Sequence, residues 1–502
     1  GETLRFGSGI YRFRPDGSKM EFLYQFNNNT WGLGFNGAGD VFGSTANRNP
    51  AFFGGFPQTG YIDRKPGASA RMIADEISFY PITPRIRQVD AFGQYTAGAG
   101  YALATSANFP PSWRNRMAFI GGPTGHLLGL FDHTREGAGF RASNQYHFLA
   151  STDEWFSPVA AEVGPDGNLW VADWYNFIIQ HNPVPTVERG GYDTINGPGN
   201  AHVNPLRDKQ HGRIYRAIWD GAKPSSITSL EGATDEELLA ALSHDNQFWR
   251  LTAQRILVAG ERHDLDPQLK ALLANTKGIP AAHALWTLDG LGELDRETHQ
   301  TALLRGQDPV LKRNAIRAIP NTDDGMQLFF DTAVVQSPDS LVRLAAFSKL
   351  AHFPNRKRVE ETAKRLIRRK ENQSDEWLAL ALRAGGAGKV GRGPGKTIGP
   401  NLLPNSSFEE VSDGLPLGWT IRTYSGAAEH LVATGEARSG ENSLRIASDD
   451  GGDSSVFATI AVEPKTDYRL VGWVKTSGLM GGRGAQMNAH EVQDQPRGSR
   501  TN

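Results

Sequence analysis

A 31-residue repeat constrains this chain more than any other feature. Asn246, Lys277, Asp308 and Asp339 stand 31 residues apart. Seven residues after each comes an alanine: Ala253, Ala284, Ala315 and Ala346. Eleven after each comes Leu257, Leu288, Ile319 or Leu350. Offsets of 7 and 11 fall on one face of an α-helix. The small residue lets neighbouring helices approach, and the larger one fills the space between them. The period therefore predicts stacked helical units, an α-solenoid, over residues 225–385. An ordinary helical bundle is the alternative. Lys277 is the one poor cap among the four unit starts.

The chain changes character on both sides of this array. Residues 1–219 are rich in glycine and read as short strands separated by turns. Arg14-Pro15-Asp16-Gly17 follows Ile10–Phe13, and Gly164-Pro165-Asp166-Gly167 leads into Leu169–Asp173. Proline and glycine supply the dihedrals such turns require. Short strands at this spacing suggest a sandwich, barrel or propeller. Residues 386–400 form a Gly-rich linker. Its Gly395-Lys396-Thr397 imitates the end of a phosphate-binding loop, but Val390 stands where that loop needs glycine, and no strand precedes it. Residues 401–502 return to a strand pattern, with a strand expected over Tyr468–Val474.

Composition excludes several classes of function. Lys plus Arg number 53 and Asp plus Glu 54, a net charge of -1 that argues against a nucleic-acid partner. There is no cysteine, so disulfides, thiolate chemistry and covalently attached haem are ruled out within the chain. No run of 18 apolar residues provides a transmembrane segment. A chain that starts at Gly1 and stops in polar residues soon after a strand reads as an internal piece of a longer protein.

Three stretches carry a resemblance. Asn28–Phe42, Ala99–Trp113 and Val163–Ala172 are similar to turn-and-strand motifs of the glucose/sorbosone dehydrogenase family of quinoprotein β-propellers. Asp173-Trp174-Tyr175-Asn176 and Gly212–Arg216 are typical of its Planctomycetes-type relatives, often called putative membrane-bound dehydrogenases. The resemblance implies that residues 1–219 are the later blades of a six-bladed β-propeller, followed by HEAT-like repeats. Residues 401–502 resemble a carbohydrate-binding module of the galactose-binding-like jelly roll, a β-sandwich that stops before its final strands. Asn405, Phe408, Glu409, Gly418 and Trp419, then Ser439–Ile446, carry that likeness. The fold expected is thus multidomain: partial β-propeller, α-solenoid and partial β-sandwich.

The propeller resemblance implies pyrroloquinoline quinone (PQQ) and Ca2+ as cofactors, but the functional positions fit it less well. The guanidinium expected to bind quinone or sugar falls on Asn28. The calcium loop falls near Ser44–Asn49, which has no carboxylate. Two later arginines fall near Ser157 and Val159, and the catalytic histidine would precede Gly1. A quinone bearing several carboxylates needs cations, so Arg48, Arg141 or calcium would have to compensate.

From the residues themselves, Asn28, Asn29, Asn47, Arg48 and Asn49 sit at strand ends where propellers place ligand-facing loops, and are the candidate cofactor-binding set. Asparagine also simply supports tight turns. His126, His133, His147, His181, His202 and His211 have no metal-ligand spacing and read as structural or exposed. Asp153-Glu154-Trp155 reads as a capped turn or part of the central mouth, and Asp449–Asp453 as a solvated turn. The second resemblance makes Glu409 and Glu410 the candidate calcium ligands. Trp419 and Trp473 are candidates for stacking on sugar faces.

Two functions follow as expectations. One is a quinone-dependent sugar or alcohol dehydrogenase with degenerate cofactor residues. The other is a non-catalytic scaffold that binds carbohydrate or polysaccharide, with a protein partner on the helical repeats. Both imply a secreted, periplasmic or cell-surface protein.

Overall fold

Frequent glycine and Pro-Asp-Gly turns divide the first part of the chain into short antiparallel strands. The computed structural model describes residues 7–14, 17–26, 28–55, 57, 71–84, 86, 93–176, 195–196, 202–203, 208–387, 401–463, 468, 470, 472–478, 485–487 and 499–500. Asn27, His181 and the Gly395–Thr397 stretch of the linker lie outside them. The chain divides into two units, residues 1–390 and 391–502.

In the first unit, β1 (Gly9–Phe13) and β2 (Met20–Gln25) form a hairpin. Next comes a four-stranded meander of β3 (Thr30–Phe35), β4 (Val41–Thr45), β5 (Phe52–Phe53) and β6 (Arg71–Met72). A second meander joins β7 (Ala99–Leu103), β8 (Met117–Gly122), β9 (Leu127–Glu136) and β10 (Gly139–Ala150). β11 (Pro158–Val163) and β12 (Leu169–Asp173) begin a third sheet. After the short pair β13 (Ile195–Asn196) and β14 (His202–Val203), β15 (Arg213–Ala217) completes it in the order β11-β12-β15. The first strands of the three large sheets are neighbours: β3 beside β7, and β7 beside β11. Glycine makes this approach possible. A Cβ at Gly32 would collide with the Gly100 carbonyl, and one at Gly100 (φ 63°) with the backbone of Ala160 and Ala161. Among the described residues the strands close into no barrel.

The helical part begins with α1 (Asp235–Ala241), held by a capping box between Thr234 and Glu237. α2 (Gln247–Ala259), α3 (Asp266–Asn275), α4 (Ile279–Leu291), α5 (Arg296–Leu304), α6 (Pro309–Ala318), α7 (Asp323–Asp331) and α8 (Ser340–Leu350) follow. α9 (Arg356–Leu366), α10 (Lys370–Gln373) and α11 (Glu376–Leu382) complete the series. The alternate helices pack in turn: α2 on α4, α4 on α6, α6 on α8, and α8 on α11. Ala253, Ala284, Ala315 and Ala346 are all fully buried, as are Leu257, Leu288 and Leu350, with Ile319 close behind. Three of the four unit starts are N-caps. Asn246, Asp308 and Asp339 accept from the amides of Phe248, Leu311 and Val342. Lys277 cannot do this, and the cap moves to Gly278, whose amide donates to Asp308 Oδ2 at 2.8 Å.

These helix starts meet the strand turns. Asn246 Nδ2 donates to the Gly164 carbonyl at 2.9 Å, and Trp249 Nε1 to that of Pro165 at 2.8 Å. Arg135 pairs with Asp339 at 2.7 Å, and Asp375 Oδ2 accepts from Ala138 N at 2.7 Å. Trp377 packs edge-on against Phe53. One core therefore runs from the sheets into the helices. Among the described residues, no helix is long and apolar enough to cross a membrane.

In the second unit, the short strands β16 (Val411–Ser412) and β17 (Leu415–Pro416) pair with each other. β18 (Thr420–Ser425) pairs with β21 (Asp453–Phe457), and β19 (Glu429–Thr434) with β20 (Asn442–Ala447), all antiparallel. Asp449 and Asp450 form a bend ahead of β21, where Ser448 Oγ accepts from Gly452 N at 2.7 Å, and Asp453 opens that strand. The strand expected over Tyr468–Val474 is not formed by the described residues of that segment. The molecule is thus a mixed, multidomain protein of small antiparallel sheets and a helical region.

Candidate functional site

The loops before β3, β7 and β11 and those after β4, β8 and β12 lie at one end of the three large sheets, because hairpin partners run antiparallel. Hydrogen bonds join these loops into a continuous rim. Ala46 N donates to Asn29 O at 2.7 Å, and Arg48 N to Tyr95 O at 2.9 Å. Thr124 Oγ1 donates to Thr96 O at 3.2 Å. The buried His126, in a left-handed conformation (φ 55°), bonds through Nδ1 to Phe156 O at 2.8 Å. Trp174 N donates to Ser157 O at 2.9 Å.

The chemistry of the rim concentrates where β12 pairs with β15. Their register sets Asp173 opposite Arg213. Arg213 donates from Nε to Asp173 Oδ2 at 2.6 Å and from Nη1 to Asp153 Oδ2 at 2.9 Å. Its Nη2 is buried with no acceptor. The guanidinium lies 4.5 Å from the centre of the Tyr175 ring, which stacks on Trp155 at 5.2 Å. Asp173 Oδ1 meanwhile accepts from the amides of Ser157 and Tyr175. Burial alone would raise the Asp153 carboxyl, but the Trp155 amide and the Arg213 guanidinium outweigh it and hold it low. Beside Tyr175, His211 Nδ1 bonds to Asp208 Oδ2 at 2.8 Å. That bond and two backbone amides lower the Asp208 carboxyl to about 2. Trp174 stays exposed on the same side.

Sequence reading placed Asp153–Trp155, Asp173–Asn176 and Gly212–Arg216 in three separate segments. The structure brings them together. The usable signal was the alternation in Leu169–Asp173 and Arg213–Ala217, but their pairing spans 40 residues, and register is not local information.

The candidate cofactor-binding residues also lie on this rim, engaged in its construction. Asn28 Oδ1 accepts from Asn29 N at 2.8 Å. Asn47 forms an isolated bridge with Thr96. Asn49 O accepts from Thr45 N at 3.0 Å, while its Oδ1 is buried without a donor. Arg48 is exposed in a left-handed conformation (φ 59°). Ser157 Oγ donates to Asn176 O. Arg141 lies on the outer strand β10 and pairs with Asp75 at 3.3 Å.

On the described rim, Arg213 is shared by Asp153 and the buried Asp173, and the Asn49 amide oxygen is enclosed. Asp208 and the exposed Arg48 add one charge of each sign. Among the described residues, no three His, Asp or Glu side chains gather into a group that could hold a metal ion.

In the second unit, the arch Asn405–Trp419 is held together by its own side chains. Asn405 Nδ2 donates to Glu410 O at 2.6 Å, and its Oδ1 accepts from Glu410 N at 3.1 Å. Glu409 Oε1 accepts from the amides of Glu441 and Asn442, tying this arch to β20. Trp419 donates to Pro404 O at 3.0 Å and packs on Phe408. Trp473 is different: it is 66% exposed, with the Arg438 guanidinium 4.1 Å from its ring centre.

Residues 1–220 match a family model described as a domain of unknown function, DUF7133. The match spans β1 to β15 and stops before α1. No curated protein matches the chain.

Proposed function

We propose that this chain is a carbohydrate-binding scaffold. In this reading, residues 1–219 are propeller blades that bind a neutral saccharide on the Asp153–Arg213–Tyr175 rim. Residues 225–385 form a HEAT-like solenoid that braces them, and residues 401–502 add a second glycan contact of jelly-roll type. A secreted, periplasmic or cell-surface location follows from that domain set.

One observation carries the rim reading: Arg213 bridges two carboxylates across the face of Tyr175, beside the Trp155 stack and the exposed Trp174. The exposed Trp174 can take the apolar C–H surface of a sugar, and the accessible Asp153 and Asp208 carboxylates its hydroxyls. Tyr175, covered by Arg213 and Trp155, holds that arrangement in place. No net cationic charge is needed. The propeller reading has separate support. Trp31, Leu33 and Phe35 alternate on the exposed face of β3, and Trp170 and Ile214 are exposed on β12 and β15. Such apolar faces at both sides of a row of sheets are what flanking blades would cover.

The test is calorimetric titration of the chain with neutral oligosaccharides, repeated with Tyr175→Ala and Trp174→Ala. Binding of at least one oligosaccharide, weakened about tenfold or more by these changes, supports the reading. Equal affinity in wild type and both variants would remove the rim from it.

A further inference from the structure

Cations crowd the end of α9 in a chain whose net charge is only -1. Lys364, Arg365, Arg368, Arg369 and Lys370 make up five of the seven residues 364–370, with no carboxylate among them. The other two, Leu366 and Ile367, are buried, and all five cations are exposed. The turn from α9 into α10 that carries them is pinned from below. Asn372, 1% exposed, donates from Nδ2 to Leu366 O at 3.0 Å, and Arg369 N donates to the same carbonyl at 3.2 Å. Among the described residues, the five make one ion pair, Lys364 with Glu360 at 3.4 Å, and both partners are exposed. Basic side chains at the other end of α9 are used within the fold. Arg356 Nη1 donates to Ala351 O at 2.7 Å, and the Arg358 guanidinium lies 4.0 Å from the Phe330 ring centre.

Helix stability does not account for the cluster. Lys364 and Arg365 suit the last turn of α9. Arg368 lies beyond that helix, and Arg369 and Lys370 stand at the start of α10, where a cation gains nothing. Five like charges in so short a stretch repel one another until an anion offsets them.

We propose that this turn docks a sulfated polysaccharide. Charge has to supply the recognition, because residues 355–373 contain no aromatic side chain. A single-stranded nucleic acid calls for rings on which its bases stack. An anionic membrane calls for an exposed apolar side, but Val359, Ala363 and Leu366 are buried, and α9 packs on residues 383–387. Sulfate esters set full charges close together along a polymer. The guanidiniums of Arg365, Arg368 and Arg369 offer planar forks for their oxygens, on a turn that is already held in shape. The surface shares no residue with the rim, and the proposal does not rest on neutral saccharide binding there.

Dextran sulfate is the probe, titrated into the full chain, with unmodified dextran as the control for the polymer backbone. The expected result is saturable binding of dextran sulfate, tighter than that of dextran, which weakens steeply as salt rises. Arg368→Gln with Arg369→Gln should weaken it about tenfold or more and flatten the salt dependence. Arg255→Gln with Lys277→Gln removes two exposed charges elsewhere in the helices and should leave it unchanged. Melting temperatures of both double variants check that the fold is kept. Neutral oligosaccharide titrations of the same variants should match wild type, so failure of this proposal is distinct from failure of the rim reading. Absence of dextran sulfate binding, or equal weakening in the two double variants, overturns the proposal. So does tighter binding of single-stranded DNA or of phosphatidylserine-containing vesicles than of dextran sulfate, which would assign the turn another partner.

Discussion

The Asp40 carboxylate accepts from Arg313 Nη1 at 2.6 Å and Arg317 Nη2 at 3.0 Å, with the Asp40 and Arg313 side chains 1% and 6% exposed. This pair joins the β3–β4 turn to α6 across 273 residues. Burial alone would raise the Asp40 carboxyl, but the two guanidiniums outweigh it and keep it low. Removing one partner leaves the other buried and uncompensated. Asp40→Asn is expected to cost about 3–5 kcal/mol. The double change Asp40→Leu with Arg313→Leu should cost less than the sum of the single changes. Urea unfolding of the four proteins checks this, and additive effects would show that the pair is not coupled.

Ala315 is fully buried on α6, and its carbonyl accepts from His299 Nε2 at 2.7 Å. Ala315→Arg would drive a cation into the layer between α4, α6 and α8, at a cost of several kcal/mol. Thermal melting followed by helical circular dichroism should show a clear loss. An unchanged melt would mean that the 31-residue register has been misassigned.

His133 lies in the sheet core, with Nε2 at 2.6 Å from the Tyr101 hydroxyl. Burial lowers it to about 4. Below its unfolded value near 6.5, the unfolded chain binds the proton first. Its contribution is therefore complete above about pH 6.5 and declines as pH falls towards 4, by up to about 3 kcal/mol. His283, lowered to about 3 by burial, acts in the same direction. Urea midpoints at several pH values should fall through this window, and His133→Gln should flatten the slope while leaving Tyr101 an acceptor.

The two candidate sugar-stacking tryptophans should behave differently. Trp419 is bonded to Pro404 and packed on Phe408, so Trp419→Ala should destabilise the second unit by a few kcal/mol. Trp473 is largely exposed, so Trp473→Ala should change stability by under about 0.5 kcal/mol and reduce retention on polysaccharide columns. Column retention and melting temperature, measured together, separate the two roles.

Much of this architecture was legible because its signals are local. The 31-residue offsets identified the buried alanines and leucines, and even the weak start at Lys277, where the cap shifts by one residue to Gly278. Glycine-rich turns marked the strands. The site was less legible. Asparagines 28, 29, 47 and 49 were found as loop residues, but their side chains and backbones largely hold the rim together. The Arg213 bridge depends on strand register, and the Asp40–Arg313 pair on docking of sheet to helix. Neither has any short-range trace in the chain. Glu409, read as a calcium ligand from resemblance, spends Oε1 on two backbone amides, a role that composition cannot reveal.

The central proposal is that the rim takes neutral saccharides rather than a quinone, because Arg213 is committed to two carboxylates. It is tested most directly by titrating the chain with pyrroloquinoline quinone plus calcium in parallel with an oligosaccharide panel, followed by dye reduction over the same sugars. The account predicts saccharide binding that Tyr175→Ala weakens, no saturable quinone binding and no dye reduction. Micromolar quinone binding with sugar-dependent turnover would contradict it and restore the dehydrogenase.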